Sequence, residues 1–72
     1  MSATVDARGL SCPQPVLMTM DEIKKVQQGE ITILVDTETS KENVSRAAMS
    51  QGWQVKEVGE EGEGFRVTIE RD

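Results

Sequence analysis

Ile31-Thr32-Ile33-Leu34-Val35 is rich in β-branched residues and apolar at nearly every position, the composition of a central strand covered on at least one face. Asp36 ends it. On either side the hydrophobic period changes to that of a helix. Upstream, residues 13–28 hold no glycine, and Val16, Met20 and Ile23 recur at four and three residues with Leu17 and Val26 beside them. Gly29 is the expected stop of this first helix, and Lys24 and Lys25 fall in its last turns, where cations favour the helix dipole. Downstream, Thr39 followed three residues later by Glu42 fits a capping box, with Ser40 an equally good cap. Val44, Ala47, Ala48 and Gln51 then trace a weaker helical stripe that Gly52 closes.

Further out, Ala3, Val5 and Ala7 alternate with Thr4, Asp6 and Arg8 in a short first strand that Gly9 ends. Trp53 and Val55 open a third strand. Phe65, Val67 and Ile69 alternate with Arg66, Thr68 and Glu70 in a fourth, and Gly59-Glu60-Glu61-Gly62-Glu63-Gly64 reads as the hairpin loop between them. The order β-α-β-α-β-β, with right-handed crossovers for the first two connections, predicts an α/β two-layer sandwich: a mixed four-stranded sheet with both helices on one face. Residues 1–72 are expected to form a single domain, with no internal repeat and no linker.

Composition narrows the function. Eight basic residues stand against thirteen acidic ones, a formal charge of −5, which opposes binding to a phosphate backbone, and one Trp with one Phe makes no platform for stacking bases. Nucleic acid is therefore not an expected partner. The apolar runs fall far short of the roughly 20 residues that cross a bilayer. With no basic, apolar leader after Met1, the chain is expected to be cytoplasmic and to have no membrane partner. A single cysteine and no histidine offer neither an internal disulfide nor a set of metal ligands, so neither metal nor cofactor is expected.

The densest cluster of special residues is Asp6-Ala7-Arg8-Gly9-Leu10-Ser11-Cys12-Pro13-Gln14-Pro15, at the turn from the first strand into the first helix. Pro13 suits a first helical position and Pro15 still falls in the first turn, which makes Cys12 the expected N-cap. A thiolate there faces the positive end of the helix dipole, although two prolines remove two of the donors. Local chemistry leaves two readings of Cys12 open: an accessible nucleophile, or a small buried hydrophobe fitting the corner. Topology favours the first, because functional groups in parallel β-α units collect beyond the carboxyl ends of the strands, where Asp36 and Thr37 also end the neighbouring strand. Arg8 is placed to steer an anion or to pair with Asp6 or Asp36. The two aspartates are expected to hold loop backbone rather than to act as acids, and Gly9 to supply a conformation other residues avoid. At about 100° per residue Met18 points almost opposite to Val16, Met20 and Ile23, and so is expected to be exposed. It is either a docking contact near Cys12 or an incidental surface residue.

Asp6 to Pro15 resembles the signature of the TusA/SirA/YedF sulfur-carrier family, whose hallmark is a Cys-Pro-x-Pro segment at the start of the first helix. Val16-Leu17-Met18, the Gly29-Glu30 turn, the aliphatic strand ending in Asp36, and Glu42-Asn43-Val44-Ser45-Arg46 with Gly52 are similar to the family as well, the last segment most to the YedF branch associated with selenium metabolism. The resemblance implies the same β-α-β-α-β-β fold and a persulfide carried on Cys12. It implies a cysteine desulfurase or rhodanese-like protein as sulfur donor, and a DsrE-like or other cysteine-bearing acceptor. Leu10, Pro13, Gln14 and Pro15 join Asp6, Arg8 and Gly9 as motif residues around Cys12. The best-known tRNA-thiolation members carry an acidic residue between the prolines where this chain has Gln14, a neutral amide.

Two rival readings come from other classes. A noncatalytic interaction or regulatory module would use the proline-marked turn as a rigid surface. A thiol oxidoreductase would need a resolving cysteine from outside the chain. The nucleophile reading predicts a Cys12 pKa modestly below the free-thiol value of about 8.5. Iodoacetamide rates followed against pH are expected to reach half-maximum below that value.

Overall fold

The computed structural model describes residues 2–10 and 13–72. β1 (Ser2–Asp6), α1 (Gln14–Val26), β2 (Gly29–Val35), α2 (Glu38–Ser50), β3 (Gln54–Glu61) and β4 (Gly64–Arg71) follow in the expected order. Across the sheet they lie β1-β2-β4-β3, with β1 parallel to β2 and β4 antiparallel to both β2 and β3. The second crossover thus carries the chain one place beyond β2's neighbour, and β4 returns to fill the gap. β3 points the same way as β2 without pairing with it.

Register explains where the core sits. Ala3 and Val5 pair with Ile31 and Ile33, and Ile31, Ile33 and Val35 pair across the other side with Ile69, Val67 and Phe65. Paired residues share a face, so these side chains form one apolar surface. α1 lies against β1 and β2, α2 against β3 and β4, and the helices touch each other. Ile31, Ile33, Val35, Val67 and Ile69 lose all exposure beneath them, together with Val44 and Ala48 from α2. Each of the isoleucine and valine side chains contributes about 1.5–3 kcal/mol by leaving water. The opposite face is polar: Lys56 reaches Glu30 at 2.7 Å, and Arg66 reaches Glu61 at 3.0 Å and Glu57 at 3.7 Å.

Several local boundaries differ from expectation. α2 is capped by Thr37, whose hydroxyl accepts the Ser40 N–H at 3.1 Å, not by Thr39 or Ser40. The extended backbone of the strand persists through Thr37 (φ −131°, ψ 153°), so the helix begins immediately after it. α1 ends at Val26, before Gly29. Gln27 takes φ +65° and ψ −32°, and the Gln28 N–H bonds the Val26 carbonyl at 2.7 Å, a three-residue γ-turn. Gly52 does close α2. The Gly52 and Trp53 N–H groups bond the Met49 and Ala48 carbonyls at 3.1 and 3.0 Å, a Schellman motif whose apolar contact is Trp53 against the core. Trp53 precedes β3 rather than opening it.

The hairpin is tighter than the glycine-rich stretch predicts. Gly59, Glu60 and Glu61 are strand, and only Gly62 and Glu63 connect β3 to β4. A positive φ at the first connecting residue, Gly62, is the pattern of a type II′ turn, whose twist matches that of the strands. A β-bulge between Val55 and Glu57 adjusts β3. Gly64 is held for a different reason: a Cβ there would run into the Val35 carbonyl oxygen and approach the Asp36 Cα to 3.0 Å. Gly64→Ala is therefore expected to lower stability by about 1–3 kcal/mol. Gly52→Ala, strained by φ +84° but opening into free space, is expected to cost about 1 kcal/mol. Urea unfolding midpoints of the two variants check the ranking.

Candidate functional site

At the carboxyl ends of β1 and β2 the chain turns toward α1. Ala7 stays attached to the sheet, its side chain fully buried and its N–H bonded to the Leu34 carbonyl at 2.8 Å. The chain then folds back, the Leu10 N–H meeting the Ala7 carbonyl at 3.4 Å, with Arg8 and Gly9 at the corner. Gly9 has φ +79°, the third-residue conformation of a type II turn that glycine adopts without steric cost.

Two carboxylates hold this corner. Asp6 accepts the Arg8 backbone N–H at 3.2 Å and grips its guanidinium with both oxygens, Nε and Nη2 each at 2.9 Å. Asp36, at the end of β2, accepts the Gly9 N–H at 2.7 Å. Both aspartates serve loop backbone, as expected, and Arg8 pairs with Asp6 rather than Asp36. The Arg8 side-chain hydrogen bonds, followed by its backbone N–H, hold the Asp6 carboxyl down at about 2. Arg8 in turn is held above its ordinary value, chiefly by Asp6 and more weakly by Glu61 and Asp36.

The helix start is lean in hydrogen bonds. Pro13 is the cap residue, with φ −98° and ψ 15° and no side-chain cap, and its carbonyl accepts the Leu17 N–H at 3.0 Å. Pro15, fully buried, has no N–H to give. Within the first turn that leaves the Gln14 and Val16 amides without a backbone partner among the described residues. Cys12 was expected as the N-cap; the helix instead begins at Gln14, because the ψ of Pro13 departs from helical values. Cys12 precedes the cap by one residue, and its own placement lies outside the described residues. Leu10, Pro13 and Gln14 are exposed around it in sequence, Leu10 at 38%.

Met18 is not the exposed residue its spacing predicted. It is half-buried against the core beside β1, and Leu17 faces solvent at 50% exposure. The reason is Thr19, fully buried because its hydroxyl donates to the Pro15 carbonyl at 2.9 Å. The buried stripe is Pro15, Thr19 and Ile23, which turns the helix so that Met18 stands about 100° from the stripe's centre rather than opposite it. The stripe Val16, Met20 and Ile23 leaves out Thr19, whose hydroxyl finds its acceptor one turn back.

Register adds residues that the sequence pattern did not assign to the site. Since Val35 pairs with Phe65, the β3–β4 turn with Glu60, Glu61 and Glu63 comes to this same end of the sheet. There Lys41 places its ammonium 4.8 Å from the centre of the Phe65 ring. Only the insertion of β4 beside β2 reveals the proximity. A groove of about 700 Å³ bordered by Ile23, Gln27 and Arg71 lies at the far end of the sheet. Among the described residues no group of three or more His, Cys, Asp or Glu side chains is arranged to hold a metal ion, and no helix is long and apolar enough to cross a membrane.

Residues 3–71 match the family model described as Sulfurtransferase TusA. This chain belongs to the TusA family. A protein of Archaeoglobus fulgidus assigned as a sulfur carrier is 29% identical over 68 residues, covering 93% of both chains. One of Methanocaldococcus jannaschii, likewise assigned as a sulfur carrier, is 31% identical over 68 residues, covering 93% of this chain and 91% of its own. A crystal structure of a SirA-like protein from Desulfitobacterium hafniense superposes with a TM-score of 0.85 at 30% identity, covering 94% of this chain and 95% of that one. The TusA-family fold is thus shared across nearly the full chain, and with it a role as sulfur carrier that works between donor and acceptor proteins.

The Asp6–Arg8 pair carries a pH signature. Because the Asp6 carboxyl titrates lower in the folded chain than its ordinary 3.8, the pair favours folding above that value, and the contribution is lost as pH falls through about 2. Carbon-detected NMR titration of Asp6 is expected to give a midpoint near 2, moving back toward 3.8 in Arg8→Gln.

Proposed function

We propose that the chain carries sulfane sulfur as a persulfide on Cys12, receiving it from a cysteine desulfurase or rhodanese-like donor and passing it to a cysteine-bearing acceptor such as a DsrE-like protein. The observation that carries this reading is the corner that precedes Cys12. Asp6 and Asp36 fix Arg8 and Gly9 at the carboxyl edge of two parallel strands, while exposed Leu10, Pro13 and Gln14 keep the surroundings open to a protein surface. A rigid approach lowers the ordering cost of presenting one thiol to successive partners.

The transfer is redox-neutral thiol exchange. The Cys12 thiolate attacks the terminal sulfur of the donor's cysteine persulfide; the donor's S–S bond breaks, its thiolate leaves, and a new S–S bond forms on Cys12 with the sulfane sulfur and its proton outermost. The second transfer repeats this with the acceptor thiolate as nucleophile. An anionic sulfur one residue ahead of the helix cap in sequence is favoured at each stage by the positive end of α1. The acceptor belongs to sulfur or selenium metabolism, in keeping with the YedF-like segment at residues 42–46. tRNA thiolation is the other destination, and Gln14, a neutral amide between the prolines, weighs against it. Residues 1–72 act as one carrier domain.

Incubation with a cysteine desulfurase and cysteine, followed by intact-mass spectrometry, is expected to add one sulfur mass to the wild type and none to Cys12→Ala. The adduct should vanish on reduction with dithiothreitol. Equal labelling of Cys12→Ala, or no labelling with any of several desulfurases and rhodaneses, rejects the carrier reading in favour of an interaction module.

A further inference from the structure

The two outer strands of the sheet protect their edges differently. β3 is broken by its bulge and carries Glu57, Glu60 and Glu61, devices that keep an edge from pairing with another chain. β1 has neither a bulge nor a free charge, since its one charged residue, Asp6, is held by Arg8. The bond from the Ala7 N–H to Leu34 shows which backbone groups face β2. By alternation Ala3 and Val5 also turn toward β2, and Thr4 and Asp6 turn their N–H and C=O groups outward. Among the described residues β1 pairs with β2 alone.

Beside this free edge a groove of about 290 Å³ separates β1 from α1. Its floor is apolar, from buried Val5 and half-buried Met18, and its wall carries Asp21, Glu22 and Lys25. Among the described residues none of these three charged side chains forms an ion pair.

We propose that the edge of β1 receives an extended, lysine-bearing segment of a partner protein as an added antiparallel strand. Backbone pairing would be made through Thr4 and Asp6, the general mode of strand addition to an open sheet. On the helix side of such a strand, lysine stems lie along Val5 and Met18 and their ammonium groups meet Asp21 and Glu22, apolar stem and charged tip each finding its match. Charge decides against the other obvious occupant, a second copy of this chain. A two-fold axis that makes β1 antiparallel to its copy also reverses α1. On α1 Asp21 and Glu22 fall between Met18 and Lys25 in sequence, so an axis crossing the helix between those two would set four carboxylates against one another in a chain already at −5. The proposal does not depend on the sulfur chemistry of Cys12, and its test involves no sulfur.

The test titrates the nitrogen-15-labelled chain with an acetylated, amidated hexapeptide alternating lysine and threonine, and follows amide exchange by NMR. Thr4 and Asp6 amides are expected to exchange roughly tenfold more slowly at saturation, with Val5 unchanged. A glutamate–threonine peptide should leave them unprotected. Asp21→Lys combined with Glu22→Lys should weaken the lysine peptide about three- to tenfold, with the exchange of core amides such as Ile33 showing that the variant is folded. The proposal is overturned by a lysine peptide that does not protect Thr4 and Asp6, or by a glutamate peptide that protects them equally. Protection that rises with protein concentration alone would overturn it in favour of self-pairing.

Discussion

Ile31, Ile33 and Val35 expose nothing to solvent, and a strand apolar on one face can hide that face only if something covers it along its whole length. Two helices on the same side of the sheet meet the demand, with Ile23 from α1 and Val44 and Ala48 from α2 pressing into the layer. Once both crossovers lie on that side, the chain leaves β1 and β2 at the same end. The turn after β1 and the residue after β2 are thereby neighbours, and the bond from the Gly9 N–H to Asp36 becomes available. The uncovered face then has to be polar, which accounts for the Lys56–Glu30 and Arg66–Glu61 pairs stretched across it.

Much of this was legible from the chain because the decisive signals are local. The aliphatic run of β2, the helical spacing of α1, and the alternation in β1 and β4 are read over a few residues each. What failed to show is the part fixed by single atoms. Thr19 looks polar in sequence and is buried because its hydroxyl has an acceptor one turn back. Thr37 outcompetes Thr39 as cap because the strand keeps its backbone extended up to that point. Glycine-rich residues 59–61 read as loop, yet they pair with residues 64–66 once a two-residue turn at Gly62 sets the register.

The site divides along the same line. Asp6, Arg8 and Gly9 are close in sequence, and Asp36 is predictable as the end of a parallel neighbour, so the corner could be drawn before any coordinates. The Phe65 ring, the Lys41 ammonium and the acidic turn could not, since they depend on β4 folding back between β2 and β3. Position and rigidity follow from hydrogen bonds and backbone angles. The chemical identity of the cargo follows from kinship with the TusA family, because nothing in the charge or geometry of the corner singles out sulfur.

Trp53 is the chain's one tryptophan, 2% exposed and locked behind the end of α2. It sits where β3 begins, at the opposite end of the sheet from Arg8 and Gly9. The molecule therefore carries a built-in optical reporter of its packing, set apart from the surface where partners would come and go. Its emission will distinguish a lesion that loosens the whole layer from one that alters only the corner.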